Sequence, residues 1–186
     1  NVAIGGTSAT QKLDVTGSIK GSADLYLGSA FNIYDNGSRV WHRSGSFQSL
    51  FVGNAVGTTS NTGNRNFGFG TNIFQSLTSG EQNVAIGGTA LYALTTGSAN
   101  VGIGVNVMQN LTTGNSNMSI GGSSGSAITT GLGNCLIGSG AGGSITTGSY
   151  NMAIGTNSLR TATTQGYNAA IGFQALYTNN PSFSVA

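Results

Sequence analysis

The feature that most constrains this chain is a pattern that returns every 17 residues. Leu77-Thr78-Ser79-Gly80 reappears as Leu94-Thr95-Thr96-Gly97, Leu111-Thr112-Thr113-Gly114, Ile128-Thr129-Thr130-Gly131 and Ile145-Thr146-Thr147-Gly148. A sixth copy, Ala162-Thr163-Thr164-Gln165, keeps the phase but loses the glycine, which moves to Gly166. Nine residues after each start stands an Ile-Gly pair: Ile86-Gly87, Ile103-Gly104, Ile120-Gly121, Ile137-Gly138, Ile154-Gly155 and Ile171-Gly172. Backward extrapolation reaches Phe69-Gly70 and Val52-Gly53, so eight units, the first two degenerate, cover residues 43–178. A fixed period of this length is too short for a helix pair and fits one coil of a β-solenoid or β-roll.

Within a unit, the apolar residue two places before each Ile (Val84, Val101, Met118, Cys135, Met152 or Ala169) is separated from it by one residue, usually a small one. Alternation over four or five residues bounded by Gly predicts a short, half-buried strand. The expectation is that the first apolar residue and the Ile point inward, which makes Ile86, Ile103, Ile120, Ile137, Ile154 and Ile171 the core. Helix is disfavoured, because the Gly residues and β-branched Thr pairs of each unit lower helix stability by roughly 0.5–1 kcal/mol per residue. The glycine after each Ile marks a corner that needs positive φ or close backbone approach.

Asn returns at the seventh position of each unit as Asn83, Asn100, Asn117, Asn134, Asn151 and Asn168, with Asn66 in an earlier one. Stacked coils place these amides in a structural ladder about 4.8 Å apart, each able to bond the next coil or close a turn. Eight coils at that spacing make a rod about 35–40 Å long.

The composition agrees with an ordered repeat rather than a linker. Gly, Ser, Thr and Asn make up just over half of the 186 residues, yet 38% of the chain is apolar, whereas disorder goes with low hydrophobicity and high net charge. Only 5% of residues are charged, with six Lys+Arg against four Asp+Glu, so nucleic acid finds no basic footprint. No apolar run approaches the ~18 residues of a membrane span, so no membrane partner is expected. The chain opens at Asn1 without a Met, which reads as a fragment or a processed product.

Residues 1–42 differ and are expected to form a small β module that caps or leads into the rod, with 43–178 the solenoid and 179–186 a tail or junction. Seven of the ten charges, Lys12, Asp14, Lys20, Asp24, Asp35, Arg39 and Arg43, lie at or before residue 43. Leu13 and Val15 alternate with polar neighbours, and Asp24-Leu25-Tyr26-Leu27 reads as another strand. Asn36-Gly37, between Phe31-Asn32-Ile33-Tyr34 and Arg39-Val40-Trp41, is a hairpin signal. Asn1 to Thr7 repeats Asn83 to Thr89 residue for residue, which suggests a solenoid-like turn ahead of the module.

Little here supports catalysis. The four carboxylates, Asp14, Asp24, Asp35 and Glu81, are scattered, whereas glycoside hydrolysis needs a convergent pair. Asp24 and Asp35, both in the N-terminal module, are a pair open to meeting in space, but they read first as solvated turn or strand residues. His42 is the only candidate base, with no nucleophile marked beside it. Cys135 stands where other units carry Val or Met and reads as core; one Cys excludes an internal disulfide and a multi-Cys zinc site. Gly138-Ser139-Gly140-Ala141-Gly142-Gly143 lacks the Lys-Ser/Thr ending of a phosphate loop. The repeats contain no Asp for calcium; no metal or cofactor is expected. Ice binding is disfavoured because adjacent threonines such as Thr95-Thr96 point to opposite faces of a strand. Tyr92, Tyr150, Tyr167, Phe173 and Tyr177 can stack on a sugar or receptor, or fill an interchain interface.

The stretch Asn1 to Gly17 resembles an entry segment of bacteriophage tail-fibre and related appendage proteins. The repeats, as in Asn83 to Gly97 and Asn151 to Thr164, are similar to the Ala-Ile-Gly repeats of those fibres and, more loosely, to the head repeats of trimeric autotransporter adhesins. The resemblance covers nearly the whole chain and implies a homotrimer of parallel β-structure on a virion or a bacterial cell surface. The adhesin head period is shorter than 17, and the chain ends at Asn180-Pro181-Ser182-Phe183-Ser184-Val185-Ala186 without a recognisable anchor. A physical argument also favours trimerisation. Each coil carries about four sizeable apolar positions, some of them Gly as at Gly125 and Gly142, set against an ordering cost of about 1–2 kcal/mol per residue. The expected function is a stiff trimeric shaft of a phage tail fibre or similar appendage, joined to other fibre proteins and positioning a host-recognition element. The alternative is a bacterial adhesin head that binds host glycan or protein; a fibre-borne glycan-degrading enzyme is a weaker third.

Overall fold

The structure, a computed structural model, describes residues 31–35, 38–44, 49–57 and 61–178. The expected strands around Leu13 and Leu25 and the entry segment at Asn1 lie outside them. Ten strands form one sheet whose spatial order follows the chain. β1 (Phe31–Asp35) and β2 (Ser38–Ser44) pair antiparallel around the predicted Asn36-Gly37 turn. β2 then pairs antiparallel with β3 (Ser49–Val52), so the hairpin extends the solenoid sheet, and the expected boundary at 42/43 falls inside β2. From β3 onward every pairing is parallel: β4 (Phe67–Thr71), β5 (Val84–Gly88), β6 (Val101–Ile103), β7 (Met118–Ile120), β8 (Cys135–Ile137), β9 (Met152–Ile154) and β10 (Ala169–Ile171). The register is one repeat at each step, as in Val52↔Phe69, Phe69↔Ile86 and Ile86↔Ile103. The molecule is an all-β parallel solenoid of 17-residue coils with no helix among the described residues.

Each coil turns at four positive-φ positions. In the coil that starts at β5 these are Gly87 (φ 126°), Thr89 (54°), Leu91 (51°) and Ala99 (58°), and equivalent positions repeat down the stack. The glycine corner is conformationally obligatory, because its φ lies between 123° and 149° in all eight copies. It is also sterically obligatory within the stack: a Cβ on Gly138 would sit 2.5 Å from the Gly155 carbonyl oxygen. The other three corners use left-handed values that non-glycine residues adopt at some cost.

The strand faces are reversed from the sequence expectation. Ala85, Leu136, Ala153 and Ala170, the residues between the two apolar positions, are fully buried, whereas the Ile column lies on the outer face. Ile86, Ile103, Ile120, Ile137 and Ile154 are half-buried and Ile171 is 60% exposed. Cys135 likewise stands on the outer face, beside Met118 and Met152 in the flanking strands, and is half-buried. The cause is the preceding Asn. Asn83 is buried, so period-two alternation turns Val84 out, Ala85 in and Ile86 out.

The core between the strand and the opposite leg comes instead from Leu77, Leu94, Leu111, Ile128 and Ile145, and from residues at the left-handed corners such as Leu91, Met108 and Leu159. Their sizes are matched across coils rather than within them. Leu136 is the one large residue among the small inward positions of the central strands, and Gly125 and Gly142 make room for it: a Cβ on either would lie 2.8 Å from a Leu136 methyl. Gly68 likewise vacates space for Phe51, Ile73 and Phe74, and Phe51 meets Phe74 edge-on at 5.7 Å. The space at Gly125 and Gly142 is thus filled by Leu136 of the same chain.

Candidate functional site

The residue pattern with the most developed chemistry is the Asn column, and the structure shows what it does. Asn83, Asn100, Asn117, Asn134, Asn151 and Asn168 are all buried. The backbone N–H and the Nδ2 of Asn100 both donate to Asn83 Oδ1, at 2.9 and 3.0 Å, and Nδ2 also donates to the Gly114 carbonyl at 2.9 Å. The same three bonds recur at Asn117, Asn134 and Asn151, with the Gln165 carbonyl as the last acceptor. Each central amide thus uses both donors and both acceptor positions and ties its own coil to the coils before and after it. At the N-terminal end Ser49 takes the place of an Asn, its Oγ accepting from the Asn66 N–H at 3.0 Å. A buried polar group costs stability unless it is bonded; here the bonding is complete, so the column is a structural device rather than a ligand site.

The paired threonines make a second ladder. Thr78, Thr95, Thr112, Thr129 and Thr146 each donate their hydroxyl to the carbonyl of the equivalent Thr in the next coil, at 3.0–3.2 Å. The second residue of each pair, Thr96, Thr113, Thr130 or Thr147, is exposed. The pair lies outside the strands, so opposite strand faces are not the cause; the first hydroxyl is spent on stacking, which leaves a single free column.

The described reactive residues stand on separate elements. Asp14 and Asp24 lie outside the described residues, so a pairing of Asp24 with Asp35 does too. Asp35 ends β1 opposite Ser38, His42 stands in β2 opposite Asn32 and Phe51, and Glu81 is exposed on a coil of the solenoid. Among the described residues no group of three His, Cys, Asp or Glu is placed to hold a metal ion, and no helix is long and apolar enough to cross a membrane.

Two surface features remain. The first is the outer sheet face: Leu50 and Val52 on β3, Phe67 and Phe69 on β4, and the Val/Met/Cys/Ala and Ile columns from β5 to β10. Every one of these sixteen positions is apolar and none is buried. Phe69 is 53% exposed and Met118 42%. From residue 49 to 178 the charged residues are Arg65, Glu81 and Arg160, and none stands on this face. Only the alternation of the sequence hinted at it, and the hint was assigned to the wrong side. The second feature is Tyr150 and Tyr167, whose rings stack at 5.2 Å with 23° between their planes. They occupy the corner before the Asn, and Gly133 in the preceding coil leaves room for the Tyr150 ring, 2.7 Å from where a Cβ would be. Tyr92 and Tyr177 share a different column, five coils apart.

No protein-family model matches the chain, no curated protein matches it, and no solved structure matches its fold.

Proposed function

We propose that this chain is a non-enzymatic structural segment of a phage tail fibre or similar virion appendage, a stiff shaft that works as a homotrimer and positions a host-recognition element. The observation that carries the reading is the outer sheet face. Parallel sheets occur almost only with both faces covered, and contiguous exposed apolar patches beyond a few hundred Å² mark interaction surfaces. Two apolar columns over eight rungs make a strip about 34 Å long, uncharged along its length. Identical copies carry the same rung spacing, so their strips mesh in register, and a rod lined from end to end by a self-matching face is suited to a side-by-side bundle. The interlocked Asn and Thr ladders support the mechanical half of the reading, because every coil is tied to both neighbours by side chains as well as by strand pairing.

Light scattering on the whole chain tests this. The expected mass is near three times 18.6 kDa, and the double variant I120D/I137D on the outer face falls to the single-chain mass with its β spectrum retained. A wild-type monomer, or a trimer indifferent to those charges, would overturn it. The adhesin-head reading is favoured by one observation, the exposed Tyr150–Tyr167 stack, which offers a flat aromatic platform to a sugar ring or receptor. Binding of the isolated rod to bacterial or host cells, lost in Y150A/Y167A, would select it.

A further inference from the structure

We infer that Gln165 closes the C-terminal end of the solenoid, excluding a further coil in the same register, whether from this chain or from a second copy. Beyond the shaft reading, which concerns the side of the rod, the geometry here concerns its end.

The position occupied by Gln165 is a glycine in the six coils before it. A Cβ on Gly63, Gly80, Gly97, Gly114, Gly131 or Gly148 would lie only 1.8–2.4 Å from the carbonyl oxygen of the equivalent residue one coil on. None of these six glycines has a left-handed φ, so the requirement is for space; the shortest approach in every case is to the coil that follows, although at Gly97 and Gly114 the Leu94 and Leu111 methyls of the same coil also stand at 2.7 and 2.6 Å. A side chain at this position therefore forbids a successor in the same register, and among the described coils Gln165 is the copy that carries one.

The Gln side chain also replaces what a successor would have supplied. In a stacked coil the amides of this leg point at a carbonyl of the next coil: Thr78, Ser79 and Gly80 all donate to the Thr95 oxygen, and Thr95, Thr96 and Gly97 to the Thr112 oxygen. Thr112, Thr129 and Thr146 continue the series, the last donating to Thr163 at 2.7 Å. In the terminal coil Thr163 and Thr164 donate to Gln165 Oε1, at 2.9 and 3.1 Å. One side chain thus satisfies the amides that the end of the stack would leave bare and fills the space through which another coil would approach. Bare end coils and strand edges are the places where repeat proteins pair wrongly, and capping them is the usual remedy. The sequence agrees: where the Leu-Thr-Thr-Gly phase would next return stand Asn179-Asn180-Pro181-Ser182, and Pro181 has no N–H to donate.

The test inserts a copy of residues 111–127 after Thr178 in the full chain, with and without Q165G, and follows amide hydrogen exchange. With Gln165 in place the inserted coil exchanges freely; with Q165G it docks and its amides slow at least tenfold. In the chain without the insert, Q165A removes the acceptor but keeps the Cβ. The Thr163 and Thr164 amides then exchange about fivefold faster, the equivalent of one net hydrogen bond, while the Asn83 to Asn117 ladder amides are unchanged. An inserted coil equally protected behind Gln165, an insert unprotected in both backgrounds, or unchanged Thr163 and Thr164 exchange in Q165A would each overturn the inference. Should Q165G itself lose the central ladder protection, the Q165A measurement decides.

Discussion

The central coils and the terminal coil are built from the same repeat, yet they satisfy it differently. In the centre, Asn117 sits between Asn100 and Asn134, and the Thr112 N–H finds its acceptor in the next coil. At the C-terminal end Asn168 turns its Nδ2 to Gly166 in its own coil, at 3.3 Å, and Gln165 supplies an acceptor from its own side chain. The N-terminal end makes a third solution, with Ser49 standing in for an Asn and an antiparallel hairpin laid against β3. A repeated residue therefore has no fixed worth; its contribution depends on how many coils flank it.

The sharpest way to break this comparison is to truncate one Asn in each region. Asn117→Ala removes the partners of the Asn134 N–H, Asn134 Nδ2 and the Gly131 carbonyl, and is expected to cost about 3–5 kcal/mol, since each orphaned buried group costs about 1–3. Asn168→Ala removes Nδ2 bonds to Asn151 Oδ1 and the Gly166 carbonyl but, among the described residues, takes the acceptor from no later ladder Asn, and is expected to cost about 1 kcal/mol. Chemical denaturation of the two variants measures the gap, and equal losses would mean that the ladder is not cooperative along the stack.

The glycine corners offer a second contrast with a smaller spread. Gly138→Ala meets both a φ of 134° and a carbonyl oxygen at 2.5 Å, whereas Gly172→Ala meets a φ of 131° and, among the described residues, nothing nearer than the Ala175 methyl at 3.9 Å. Backbone strain alone costs about 1–3 kcal/mol, so the terminal variant should stay within that range and the central one exceed it in thermal melts. The smallest effect separates the two threonines of one coil. Thr129→Ala gives up a hydroxyl bond to the Thr146 carbonyl and should lose about 1 kcal/mol, while Thr130→Ala, at an exposed position, should stay within about 0.5 kcal/mol of the parent. A matching loss at Thr130 would mean that the outer Thr column is engaged by something beyond the single chain.

These contrasts also mark what was legible before any coordinates. Spacing alone located every strand from Val52 to Ile171, the Gly corners and the Asn column, because each is a local rule applied at a fixed interval; the hairpin around residues 36 and 37 came from turn chemistry, an Asn-Gly pair between two apolar runs. The orientation of the strands was not legible. Val84-Ala85-Ile86 says that two faces differ, and hydropathy assigns the larger residues inward; the buried Asn83 overrides it, and no hydropathy scale places an amide inside until its partners two coils apart are known. Packing was hidden for a related reason: Gly125 and Gly142 look like gaps until Leu136, from the strand between them, is seen to fill both. The left-handed corners at Thr89 and Leu91 carry residue types that ordinarily avoid them, so no local signal announced them. For the candidate site, the outer-face residues from β5 to β10 were named, but as inward-facing, and Leu50 and Phe67 were not singled out.

The Asn ladder has one further property. From Asn83 to Asn168 one hydrogen of each Nδ2 points toward the Oδ1 of the coil before it, so the amide dipoles line up head to tail and polarise one another in a low-dielectric interior. The rod carries an internal electrical axis, its negative pole toward Asn168, and its two ends are distinguishable by field as well as by shape. Copies packed side by side in parallel would add their axes, whereas antiparallel packing would cancel them.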